Sequence, residues 1–216
     1  MASSPHASRP RRTRGALTLA LGLVLATPGL VQAQAHRTAI AVDSLRKIQE
    51  IEPRSGPAGS RVTVYTENLP LQGKVVLGVG AINAGFEVLG EADQGALGEV
   101  DGSIRIPASA TWDRALVLIT LNGNFAPTAL SDPFHVTSPE GLILRVGQVT
   151  DEGEGCLGFR DSDGYFYSLT GSHGDLSVGD YVEMVGRFDP EGGCPLGETL
   201  DVTSAKEATP PPPPGG

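Results

Sequence analysis

Gly171-Ser172-His173-Gly174-Asp175 places a hydroxyl, an imidazole and a carboxylate within five consecutive residues. Nucleophilic catalysis by such a set requires the base to lie between nucleophile and orienting acid in space, which neighbours on one loop rarely achieve. No Gly-x-Ser-x-Gly elbow occurs. His173 therefore reads as a solvent-exposed loop residue. His135, between Phe134 and Val136, falls on a strand and is expected to point away from the core as a satisfied surface histidine. His36 belongs to no pattern. Asp161-x-Asp163-Gly164 resembles the opening of a calcium loop, but Tyr165 and Ser172 stand where further oxygen ligands would be needed. Hairpin chemistry accounts for the motif. Asp151, Glu152 and Glu154 form a second acidic cluster, with weak cation binding as its alternative reading. With 25 acidic residues in the chain, chance carboxylate pairs are abundant and assign no glycosidase. No catalytic residue, cofactor or metal ligand is assigned.

Tyr165, Tyr167 and Tyr181 are either core residues or a stacking face for a neutral ligand such as a sugar. Cys156 and Cys194 lie 38 positions apart. Neither spacing nor neighbours make a Cys-x-x-Cys redox pair or a zinc site. Each is flanked by turn residues, Gly153 and Gly155 before the first and Gly192 and Gly193 before the second. A disulfide between them is expected, closing a loop that chain-entropy arithmetic values at roughly 4 kcal/mol.

The compartment follows from the other end of the chain. Arg9, Arg11, Arg12 and Arg14 precede an apolar run at 16–26, which Pro28 and Gly29 break before small residues at 33–35. The run is too short to cross a bilayer, and the pattern is that of a secretory signal over residues 1–35. Export also makes a bridged cysteine pair the expected state. Without the leader's four arginines, twelve basic residues face 25 acidic ones, a net charge of −13. Such a chain is a poor partner for nucleic acid or an anionic membrane surface. No integral membrane segment is expected after signal cleavage.

Glycine and proline together supply 46 of the 216 residues, which favours short strands and turns over helices. Residues 61–66 alternate, with Val62 and Val64 on one face. Residues 74–79 and 115–121 are continuous apolar runs, and 104–106 and 133–136 are shorter strand candidates. Ser138-Pro139-Glu140-Gly141 interrupts the pattern as a short linker. Beyond it, strands are expected at 142–150, 157–160, 165–170, 181–188 and 200–204, with a hairpin at 161–164 and a bulge or corner at Gly186. The five strands fit a small OB-like barrel. Residues 206–216, with five consecutive prolines, read as an extended disordered tail.

Ile48-x-x-Ile51-x-Pro53, Ser55-Gly56-Pro57-x-Gly59, Arg61-Val62-Thr63-Val64 and Asn68-Leu69 resemble the opening of an IPT/TIG domain. Ile104-x-Ile106-Pro107 and Phe134-x-Val136 are similar to its later strands. Tyr65-Thr66-Glu67 departs from the small residues usual there, and 84–103 run long. The resemblance implies an immunoglobulin-like sandwich over 46–138 used as a spacer or interaction module, with no catalytic residues. Residues 141–205 resemble small exported bacterial OB-like domains of unassigned function. The expected whole is an all-β, two-module chain whose modules fold separately. It would be secreted or periplasmic and bind a protein or polysaccharide without catalysis; the alternative is an extracytoplasmic hydrolase or its accessory module.

Overall fold

The computed structural model describes residues 45–81 and 84–212. The expected leader, His36 and the last four residues lie outside them. Before Ser138 the described strands are β1 (Arg46–Lys47), β2 (Glu50–Glu52), β3 (Ser55–Pro57), β4 (Arg61–Thr66), β5 (Lys74–Gly80), β6 (Phe86–Asp93), β7 (Val100–Arg105), β8 (Ala115–Leu121) and β9 (Pro127–Thr137). After it come β10 (Ile143–Thr150), β11 (Leu157–Asp161), β12 (Phe166–Gly171), β13 (Tyr181–Asp189) and β14 (Glu198–Glu207). Among the described residues no helix is long and apolar enough to cross a membrane.

The first set builds an immunoglobulin-like sandwich. One sheet runs β1-β9-β8-β5-β6 with β3 also on β9; the other runs β2-β4-β7. Alternation decides what lies between them. Val62 and Val64 of β4, Val75 and Leu77 of β5, and Phe134 and Val136 of β9 meet in one apolar cluster. The second set closes into a five-stranded OB-like barrel, β10-β11-β12-β14-β13, with β12 and β14 parallel and the other pairs antiparallel. Its own core gathers Ile143, Val149, Phe159, Leu169, Met184 and Leu200.

The expected bulge at Gly186 is present as a register shift between Val185 and Gly186. A side chain could not be placed there, because a Cβ on Gly186 would sit 2.5 Å from the Asp201 carbonyl oxygen. Gly164 closes the 161–164 hairpin at φ 90°, a conformation that favours glycine. The bridge between Cys156 and Cys194 is formed, with Cα atoms 6.1 Å apart. It joins the β10–β11 loop to the β13–β14 loop.

One strand was not anticipated, and two expectations need correction. The stretch 84–103 contains a full strand, β6, and the first four residues of β7. Its Phe86-x-Val88 alternation is diluted by glycine and acids, because β6 is a sheet edge with much of its length exposed. Strand β9 has 11 residues, well beyond 133–136, since it must pair with β8 along its length and with β1 and β3 on its other side. The barrel's last strand reaches Glu207, past the expected boundary at 205, because Lys206 and Glu207 pair with Glu183 and Val182.

Candidate functional site

The charged side chains that lie deepest are found where the sandwich meets the barrel. In β9, Phe134 and Val136 enter the sandwich core, so His135 must face the other way. The barrel covers that second face, and His135 is completely buried. The expectation of a surface histidine was right about direction and wrong about exposure. In β10, Arg145 shares the inward face with Ile143 and Val149. An arginine thus occupies a core position of the barrel, 1% exposed.

These two residues anchor a continuous polar network. Arg145 Nη2 donates to His135 Nδ1 at 3.0 Å. Its Nη1 donates to the carbonyls of Trp112 at 3.0 Å and Leu144 at 2.6 Å, and its Nε donates to the Tyr167 hydroxyl at 3.1 Å. That hydroxyl donates in turn to Asp161 Oδ2 at 3.3 Å, which lies 3.8 Å from Arg145 Nε. On the other side of the imidazole, Nε2 lies 2.7 Å from Glu198 Oε2. Arg54, between β2 and β3, donates to Glu198 Oε1. Arg54 also lies over the Phe188 ring, 5.2 Å from its centroid, and the His135 ring packs on Phe188 at 4.3 Å. Beside this, Arg114 of the sandwich grips both oxygens of Asp163 in the barrel hairpin, at 3.0 and 2.8 Å. Three arginines thus meet three carboxylates; Arg145 and Asp161 are buried and follow the rule that buried charges are paired, while Arg54 and Arg114 stay partly exposed.

The bonds fix the tautomer. A guanidinium has no acceptor, so the His135 Nδ1 facing Arg145 must be the bare nitrogen. The ring proton is on Nε2 and is donated to Glu198. Burial, helped by the charges of Arg145 and Arg54 and opposed by Glu198, holds the imidazole below its ordinary pKa. Burial also raises Asp161, against the pull of Arg145 and of the backbone amides it accepts. Tyr165 is pushed up to about 12, first by burial and then by Asp161 and Asp163. Both His135 nitrogens are engaged and its ring is covered. A general base needs reach to a substrate proton, and this imidazole offers none.

The sequence-derived candidates are dispersed. Tyr167 is fully buried inside the barrel, so Tyr165, Tyr167 and Tyr181 do not form a shared ligand face. The Tyr165 hydroxyl is buried without a hydrogen-bond partner. Tyr181 lines open space. It borders a groove of 550 Å³ with Leu176, Val182 and Pro210, and a second of 380 Å³ with Gln148 and Pro211. Asp161 and Asp163 serve the hairpin: Asp161 Oδ1 accepts the amides of Asp163 and Tyr165 at 3.0 and 2.8 Å, while Asp163 holds Arg114. Glu152 pairs with Arg160. His173 is half-buried rather than open to solvent, and its Nδ1 has no partner. Among the described residues no group of three or more His, Cys, Asp or Glu could hold a metal ion.

The disulfide has a further consequence for the barrel surface. Ser168 faces outward between Tyr167 and Leu169, yet it is fully buried. Its hydroxyl donates to the Leu196 carbonyl at 2.6 Å. Phe166 packs so closely on Gly197 that a side chain there would collide with its ring. The β13–β14 loop therefore lies over the outer face of β12, tied down through Cys194. In OB barrels the second and third strands, with these same two loops, form the face that takes up oligonucleotides and oligosaccharides. Here that face is covered by the chain itself.

Residues missed in the sequence are Arg54, Arg114, Arg145 and Glu198. Arg145 left a signal, as the one charge at the inward positions of Ile143-x-Arg145-x-Gly147-x-Val149. Arg54, Arg114 and Glu198 left none, because their partners come from the other module. Comparison of the chain with protein-family models and with curated proteins finds no match.

Proposed function

We propose that this is an exported, non-catalytic binding protein whose two β-modules present one jointed surface to a protein or polysaccharide partner. The observation that carries this reading is the contrast between the two polar regions. His135 and Arg145 are closed in and mutually paired, whereas the Tyr181 grooves are open and bounded by apolar and neutral groups as well as charges. A disulfide in the barrel agrees with an oxidising compartment. On this reading residues 1–35 direct export, and the sandwich is an IPT/TIG-like module acting as a spacer beside the barrel. A net charge of −13 without the leader favours uncharged or cationic partners.

The test is titration of the mature chain with neutral polysaccharides, reading binding and product release together. Binding without turnover is expected, and Tyr181→Ala should weaken it about tenfold, the loss of one stacked ring. Release of shortened sugars would contradict the non-catalytic reading. Unchanged binding by Tyr181→Ala would move the ligand away from these grooves.

A further inference from the structure

We propose that His135 is an acid-operated latch: a proton taken up at Nδ1 breaks its bond to Arg145 and loosens the barrel from the sandwich. The geometry leaves that proton no other place. Nε2 already carries one, directed at Glu198, and Nδ1 is the lone pair that accepts from Arg145 Nη2. A second ring proton would point an N–H at a guanidinium N–H, with no acceptor between them.

The surroundings act on the imidazolium from every packed element. Arg54, before β3, and Arg145, on β10, oppose its charge; Glu198, on β14, favours it. Tyr167 on β12 and Phe188 on β13 face it with rings, at 5.9 and 4.3 Å between centroids. Asp161, at the end of β11, reaches it only through Arg145 and Tyr167. Desolvation is the largest influence and acts against the charged form.

The sign follows from linkage. Depression of the His135 pKa means that an opened interface binds protons more readily than the closed one. The latch is at full strength above the ordinary histidine value of 6.5 and weakens as pH falls below it. Asp161 works in the opposite sense, because its pKa is raised above 3.8 and its contribution improves as acid neutralises it. The histidine therefore governs the first pH units below neutrality. Each module keeps its own apolar core, so loosening need not unfold either.

Amide hydrogen exchange on the mature chain reads this directly. The Leu144 amide crosses the interface to the Trp112 carbonyl at 3.0 Å, while amides at the far end of the β13–β14 ladder, Val182–Met184 against Ala205–Glu207, lie away from Phe188 and Glu198 and report on the barrel. Corrected for intrinsic exchange, protection of Leu144 should fall toward tenfold per pH unit below about 6.5, the limit for one proton. The ladder amides should hold. In His135→Gln, whose amide does not titrate, this dependence should disappear. If that variant fails to fold, nitrogen-15 spectra of the wild-type imidazole decide the matter, since a bare Nδ1 at neutral pH is required. Constant Leu144 protection, equal loss across the barrel, an undiminished slope in a folded His135→Gln, or a protonated Nδ1 would each overturn the latch.

Discussion

Replacing Arg145 with alanine is expected to cost about 3–5 kcal/mol of stability, the loss typical when one partner of a buried ion pair is removed. A domain's whole stability is only about 5–15 kcal/mol. Arg145 satisfies Tyr167, Trp112, Leu144 and His135 and stands beside Asp161. Without it the Asp161 carboxylate loses its nearest cation, and the Trp112 carbonyl loses one of its donors. Arg145→Lys keeps the charge but cannot reach these partners with a single nitrogen, so it should recover only part of the loss. The deficit of Arg145→Ala should shrink in acid. Removing the cation raises the Asp161 pKa further above its unfolded value, and a raised carboxylate gains stability as pH falls through it. Urea titrations at pH 7.5 and 5 check both points. A loss below 1 kcal/mol at neutral pH, or a deficit that grows in acid, would contradict the network as described.

Removing both cysteines, as Cys156→Ser with Cys194→Ser, should lower barrel stability by about 4 kcal/mol in the chain-entropy account of a loop this long. The structural effect should be local. Freed from Cys156, residues 190–197 lose their tether across β12, and the Ser168 hydroxyl loses the Leu196 carbonyl. Proteolysis in that loop should accelerate while the sandwich resists. Thiol counting on the unfolded, unreduced wild type should give none. An unchanged denaturation midpoint in the double variant would remove the bridge from the account of stability.

The sequence carried the fold further than it carried the site, for physical reasons. Strands buried on one face advertise themselves, as Val62 and Val64 do, and β4 and β8 fall where the pattern places them. Gly186 and the cysteine pair were legible because a bulge and a tether each demand particular residues. Strand β6 was hidden, since an exposed edge strand needs little apolar periodicity. The polar centre was hidden more deeply. His135 on an outward position looks like a surface residue until another module covers it. Arg54, His135, Arg145 and Glu198 are separated by up to 144 positions, and no local spacing joins them. Of the two readings open for the tyrosines, the core one holds for Tyr167, which alternation turns inward onto Arg145 and Asp161.

The polar network around His135 joins two separately cored modules, and domain coupling measures that junction. Fragments 46–138 and 140–212 each contain a complete apolar cluster and should fold alone. Each should unfold at lower denaturant than it does within the intact mature chain. The intact chain should show one transition, the same whether followed by Trp112 fluorescence in the sandwich or by tyrosine signals dominated by the barrel. If instead each fragment unfolds at its midpoint in the intact chain, and the two probes separate, the modules are merely adjacent and the network does not join them.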